Sequence, residues 1–339
     1  MRVKVFQRKE LVQDLDNKYK ALRLCCNLRS FSSGWVYIYL PNDDSNSTEI
    51  SDNLDILLTL PVRTLPVRTR AGIAEKAWTR LTQFTRLQSS DVQSMNMECP
   101  LFPGRADNLR DSLTSCSWQL SGSRITRQDE ELALLSALRN LRHVQIRRPN
   151  AFAFSVLEAL PNLESMDTQY TATRTETSTR PFTASLEHLT IQTDVPIGSL
   201  AAHLWKLIMQ LVPKCSLESF EIRTSTTRIG VTSDFVRELT EIHGATLKSF
   251  SVGYMYMDAS DIAHLCKICP KLEYLACSVH ALHYLYVTLD QYSLGDDPYI
   301  KTEVAKAWML RESSRLRIIQ IYEVFYEVSC AELSISVPT

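Results

Sequence analysis

Along the chain, apolar positions recur in two alternating rhythms. One is a short phrase, Leu-x-x-(Leu/Phe)-x-(Ile/Val/Leu). Its clearest copies are Leu141-Val144-Ile146, Leu186-Leu189-Ile191, Leu217-Phe220-Ile222, Leu247-Phe250-Val252, Leu272-Leu275-Cys277 and Leu316-Ile319-Ile321. Weaker copies are Leu28-Phe31, Val62-Leu65-Val67 and Leu163-Met166. The last three positions of the phrase read apolar, polar, apolar, the period of a strand with one buried face, so each copy predicts a short strand. Between phrases the apolar residues fall three and four apart, over Asp129–Leu138, Ser199–Val212, Ser233–His243 and Asp258–Cys269, which predicts helices. Ser233 and Asp258 stand where a side-chain oxygen can accept the free N–H groups of a helix start.

The repeating unit is therefore helix, turn, strand, returning roughly every 22 to 34 residues. One such unit cannot bury its own apolar face. Stacked side by side, the strands form a curved parallel sheet, the helices cover its outer side, and the shared leucines become one core. The expected fold class is α/β, a leucine-rich-repeat solenoid with irregular repeats, the sheet on the concave side and the helices on the convex side, running as a single domain over residues 1–339. The phrases at Leu272 and Leu282 begin too close together for an intervening helix, which predicts an abbreviated repeat near 272–285. Polar stretches at 41–53, 171–181 and 293–298 read as surface loops. Pro66 interrupts one strand phrase, because proline has no N–H to give the ladder.

The phrases LRLCCNLRSF, ALPNLESMDT, SLESFEIRTS, FVRELTEIHGATLKSF and ICPKLEYLACSV resemble the irregular leucine-rich-repeat region of F-box-type proteins of mushroom-forming fungi, over nearly the whole chain. The resemblance implies the substrate-recognition arm of an SCF-type ubiquitin ligase, reaching the SCF adaptor through a segment absent from this chain. No F-box is recognisable: the first fifty residues lack the Leu-Pro-x-Glu helix signature. The Asn or Cys that follows the strand phrase in the family is replaced by Pro149, Thr171, Asp194, Ser225, Met255 and His280, which predicts irregular curvature.

Composition narrows the function. Apolar residues at 45% and charged residues at 22% are those of a chain that builds a core. A formal net charge of -1 lacks the basic surplus needed to grip nucleic acid or anionic lipid, so neither is expected as a partner. No apolar run approaches the roughly 20 residues that cross a bilayer, and Met1 to Glu10 lacks the apolar core of a signal peptide. The expected location is intracellular, cytoplasmic or nuclear. Nine scattered cysteines, an odd number in apolar contexts, read as reduced core residues. Nine glycines in the chain leave little room for Gly-rich nucleotide loops, and neither a nucleophile elbow nor a paired-histidine helix is present. A non-enzymatic interaction protein without cofactor follows, either an F-box-type receptor or a stand-alone scaffold.

Three groups of residues carry candidate chemistry. Cys266-x-x-Cys269 followed by His280-x-x-His283 offers the donor set of a structural zinc site. Against that, the cysteines lie on an apolar helix face and at its end, and a core role explains them without metal; a zinc-supported domain is the alternative. Arginine-rich stretches 63–70 and 139–148 make a basic patch only if folding gathers them. Trp78, Trp118, Trp205 and Trp308 sit in apolar patterns as core, and Trp35 beside Gly34 is the candidate exposed aromatic. Strand alternation turns the residues beside each core pair toward the concave face. The partner-binding candidates are therefore Arg68, His143, Gln145, Arg147, Asp167, Gln169, His188, Gln192, Glu221, Arg223, Tyr274, Gln320 and Tyr322, joined by smaller neighbours such as Thr190, Ser219 and Ser249.

Overall fold

A computed structural model describes residues 58, 63–69, 79–80, 82–94, 107–120, 128–146, 150–170, 184–193, 201–224 and 230–279, with the strand backbones 318–321, 324–329 and 332–336. The chain divides into two compact units. Unit 1 is Met1–Arg147 with Ser155–Leu163, and unit 2 is Arg148–Phe154 with Glu164–Thr339.

Unit 1 holds β1 (Thr64–Thr69), β2 (Ser89–Ser94), β3 (Ser115–Leu120), α1 (Gln128–Ala137) and β4 (His143–Ile146). The four strands pair in sequence order and all in parallel. Helix α2 (Asn150–Ala159) lies where the units divide. Unit 2 holds β5 (Ser165–Gln169), β6 (His188–Thr193), α3 (Ala201–Leu211), β7 (Ser219–Thr224), α4 (Ser233–His243), β8 (Ser249–Met257), α5 (Ala259–Ile268), β9 (Tyr274–Val279) and β10 (Ile318–Ile321). Its strands are again parallel neighbours in sequence order. The repeated coil of strand, turn and helix is a leucine-rich-repeat solenoid fold, as the apolar phrases predict.

The phrase residues form the core. Leu141, Leu186, Leu217, Leu247 and Leu272 are buried, as are the second and third positions of each of those phrases. Register places the second positions side by side: Met166, Leu189, Phe220, Phe250 and Leu275 in unit 2. Helix α4 covers this row through Phe235, whose ring lies 5.8 Å from that of Phe220 and stacks at 4.4 Å on Trp205 of α3. Trp205 is thus core, as its pattern predicts; Trp118 lies in β3 with its side chain outside the described residues, as are Trp35, Trp78 and Trp308.

Three elements lie beyond the phrases the sequence displays most clearly. β2 and β3 follow Leu87-x-x-Ser90-x-Val92 and Leu113-x-x-Cys116-x-Trp118, the same spacing with a small residue in the middle. Ser90 and Cys116 are buried there between Leu65 and Val144. Helix α2 is the third, with Phe152, Val156 and Leu157 buried at helical spacing. Past β10, β11 (Val324–Ser329) and β12 (Glu332–Ser336) turn antiparallel in a meander, so the parallel pattern stops at β10. Pro66 is accommodated within β1, the first strand of the order. The second phrase of the abbreviated repeat, at Leu282, lies outside the described residues.

One helix cap, that of α4, differs by one residue from expectation. Thr232, not Ser233, is the N-cap of α4, its side chain accepting from Phe235 N–H. Ser233 is instead free to donate to Asp261 Oδ2 at 2.8 Å, tying α4 to α5. Asp258 occupies the N-cap of α5 but makes no side-chain capping bond. At the other end of α4, an added Cβ on Gly244 would sit 2.5 Å from Thr240 O and 3.2 Å from Ile268 O, so only glycine lets the end of α5 approach this closely.

Stacking is held by a recurrent backbone device. The carbonyl just before a strand accepts two successive N–H groups of the next coil, which satisfies both its lone pairs. In unit 1, Arg63 O receives Gln88 and Ser89, Gln88 O receives Thr114 and Ser115, and Thr114 O receives Arg142 and His143. In unit 2 the acceptors are Glu164, Glu187, Glu218 and Lys248. The device uses no side chain. One buried side chain does join coils: His243, fully buried, donates from Nε2 to Val212 O at 2.9 Å and accepts Leu217 N–H at Nδ1.

A candidate recognition surface on the polar face of the sheet

Opposite the core, alternation leaves a polar face on each sheet. In unit 2 its rows are Ser165, His188, Ser219, Ser249 and Tyr274; then Asp167, Thr190, Glu221, Ser251 and Ala276; then Gln169, Gln192 and Arg223. Nearly all are half-buried, Arg223 is exposed, and Ala276 is buried.

A cross-strand network ties β5, β6 and β7. Arg223 grips Glu221 with two hydrogen bonds, Nε to Oε1 at 2.9 Å and a terminal nitrogen to Oε2 at 2.8 Å. Its other terminal nitrogen stands 3.6 Å from Asp167 Oδ2. Gln192 donates Nε2 to both oxygens of Asp167, at 2.9 and 3.0 Å. Charge-assisted pairing of this kind fixes side-chain directions as well as adding energy. The hydrogen bond that Arg223 donates to Glu221 is the main reason its guanidinium is held above its ordinary pKa. Side-chain exposure falls from 54% at Arg223 to 18% at Asp167, so the arginine is the accessible end of the network. Two strands away, burial and then the Glu221 charge push the Tyr274 hydroxyl up, which keeps it a neutral donor.

In unit 1 the face carries Asp91, Ser117 and Gln145 in register. Ser117 Oγ lies 2.6 Å from Gln145 Oε1 and 3.1 Å from Asp91 Oδ1. Neither Asp91 nor Ser117 is among the candidates read from the sequence, because β2 and β3 hide behind Ser90 and Cys116. His143 is exposed at the start of β4. Arg68 and Gln320 belong to β1 and β10, but only their backbones are described; Arg147 and Tyr322 lie outside the described residues.

Of the zinc candidates, Cys266 is half-buried, Cys269 is buried at the end of α5, and His280 and His283 lie outside the described residues. Burial pushes the thiols of Cys269 and of neighbouring-strand Cys277 up to about 12. Among the described residues no three His, Cys, Asp or Glu side chains converge on one point. Likewise, no described helix is long and apolar enough to cross a membrane.

No protein-family model matches the chain, and no curated protein matches it in sequence. Among solved structures it is similar to the leucine-rich-repeat-containing protein LegL7 of Legionella pneumophila, with 10% identity over 88% of this chain and 99% of that one and a TM-score of 0.46. A second similarity is to a chain in the complex of Rad7 and Elc1 from yeast, with 11% identity over 78% of this chain and 83% of that one and a TM-score of 0.33.

Proposed function

We propose that this chain is a non-enzymatic protein-interaction module, acting inside the cell, whose polar sheet face selects a partner polypeptide. The observation that carries this reading is the Asp167–Gln192–Glu221–Arg223 network: four side chains from three neighbouring strands, locked together and leading to an exposed guanidinium. A merely solvated sheet does not require such linked polar pairing along and across strands, whereas a recognition surface gains by losing side-chain entropy before it binds. We propose further, from the texture of the repeats, that the module is the substrate-recognition region of an F-box-type SCF receptor.

Affinity capture from cells tests both statements. Wild-type chain is compared with Arg223→Glu and with Arg237→Glu, a control at an exposed position on α4. The expected outcome is loss of a discrete set of proteins with Arg223→Glu alone. Identical sets from all three would remove the interface reading. Absence of the SCF adaptor from the wild-type capture, with any upstream coding segment restored, would remove the ubiquitin role and leave a stand-alone scaffold.

A further inference from the structure

In unit 1 the turns that precede the strands carry arginines from both basic stretches of the sequence and from the turns between them. The edge of the sheet where strands begin collects Arg63 before β1, Arg86 before β2, Arg110 before β3, and Arg139 and Arg142 before β4. These turns are stacked directly on one another. Gln88 and Ser89 bond to Arg63 O, the Thr114 hydroxyl donates to Gln88 O, and Asn140 Nδ2 donates to Asp111 O at 3.0 Å. Neighbouring strands are about 4.8 Å apart, so the arginines lie along an edge of about 15 Å. Arg63, Arg86 and Arg139 are exposed and have no ion-pair partner among the described residues. Among the described residues of these turns, the acidic side chains are Asp107 and Asp111, before β3.

We infer that this edge docks an acidic, Asp- and Glu-rich polypeptide segment laid across the coils. The inference concerns unit 1 and does not need the polar face of unit 2 to be functional. Charge complementarity selects an anionic occupant. The chemistry between the arginines selects peptide over nucleic acid: Thr85 and Gln88 are exposed and offer hydroxyl and amide partners for a peptide backbone, while the described residues of this edge present no aromatic ring on which bases stack. Forked guanidinium donors also suit carboxylates, which they can bind through two parallel hydrogen bonds.

The test uses the full chain and a fluorescent peptide of alternating glutamate and serine, read by anisotropy at low and physiological salt. Its glutamine counterpart and a single-stranded oligothymidylate of equal charge serve as comparisons. Saturable binding of the glutamate peptide, absent for the glutamine peptide and weakened by salt, is expected. Replacing Arg63, Arg86 and Arg139 together by glutamine should weaken it about tenfold, since each solvated contact contributes little alone. Replacing the same three by lysine should restore most of the affinity if charge is the cause. Arg223→Glu should leave this binding unchanged, which separates failure here from failure of the unit 2 face. Tighter binding of the oligothymidylate, no binding of the glutamate peptide, or equal affinity of the glutamine triple variant would each overturn the inference.

Discussion

Unit 1 and unit 2 share one backbone ladder and fill it differently. The core row of unit 1 is Leu65, Ser90, Cys116 and Val144, while that of unit 2 is Met166, Leu189, Phe220, Phe250 and Leu275. Phe220 and Phe250 lie 5.5 Å apart and Trp205 adds a third layer through Phe235. Burying a phenylalanine contributes about 1.5–3 kcal/mol and burying a serine hydroxyl contributes nothing apolar, so this row contributes more packing energy in unit 2 than its counterpart does in unit 1. The outer edge differs as sharply. Where unit 1 places Arg63, Gln88, Thr114 and Arg142 over the stacking carbonyls, unit 2 places Glu164, Glu187, Glu218, Lys248 and Glu273. A ladder held by backbone carbonyls does not dictate the identity of these side chains, and they are where the two units diverge in charge.

The strongest way to break the comparison is to truncate one residue in each core row. Phe220→Ala should lower stability by about 3–5 kcal/mol, since it removes ring contacts to two neighbours and leaves a cavity. Cys116→Ala should cost about 1 kcal/mol. Denaturant unfolding with hydrogen exchange resolved by segment measures both, because a stack of coils opens locally as well as globally. Equal losses from the two substitutions would mean that the smaller row is as tightly packed as the larger.

The same contrast explains what the sequence made legible. Unit 2 announces itself because its middle positions are Leu and Phe, and every clear phrase from Leu186 to Leu272 became a strand. In unit 1 only Leu141-Val144-Ile146 stands out; Ser90 and Cys116 satisfy the geometry of a core position without looking apolar. With β2 and β3 went Asp91, Ser117 and the edge position of Arg86. The spacing from Leu87 and Leu113 was the available signal. The cap of α4 was missed by one residue because Thr232 and Ser233 are both capping types, and what separates them is the pull of Asp261 from another coil. Pairing of Arg223 with Glu221 was equally out of reach, since alternation places two residues on one face but does not say that they bond.

A smaller effect, confined to unit 2, should come from acid. His243 is buried and neutral, and burial holds its pKa below the ordinary value near 6.5. A histidine with a depressed folded pKa contributes its full stability above the unfolded pKa. That contribution is lost as pH falls, because the unfolded chain then takes up the proton more readily. Protonation of Nδ1 would also abolish its acceptance of Leu217 N–H. The unfolding midpoint of unit 2 should hold steady from pH 8 to about 6.5 and decline below it. His243→Gln should start lower but flatten that decline; an unchanged slope would exclude this histidine as the cause.

The smallest effect should come from the outer edge. Lys248 Nζ lies 2.6 Å from Glu218 Oε2, and this bond holds the Glu218 carboxyl below its usual range and the lysine above its own. Such a bond contributes stability above the unfolded carboxylate pKa and loses it as pH falls through the folded one. Both side chains are nonetheless in water, at 45% and 34% exposure, where screening and side-chain entropy consume most of the attraction. Lys248→Met should therefore leave the denaturation midpoint unchanged at physiological salt. It leaves Glu218 beside Glu187 without its hydrogen-bonded cation, so any shift should appear at low salt, where like charges on adjacent coils are least screened. A loss as large as that of Cys116→Ala would show that the edge side chains hold the coils together. In that case the change from arginine to glutamate between the two units would reflect stacking, and the acidic-peptide dock on unit 1 would lose its premise that Arg63, Arg86 and Arg139 serve recognition.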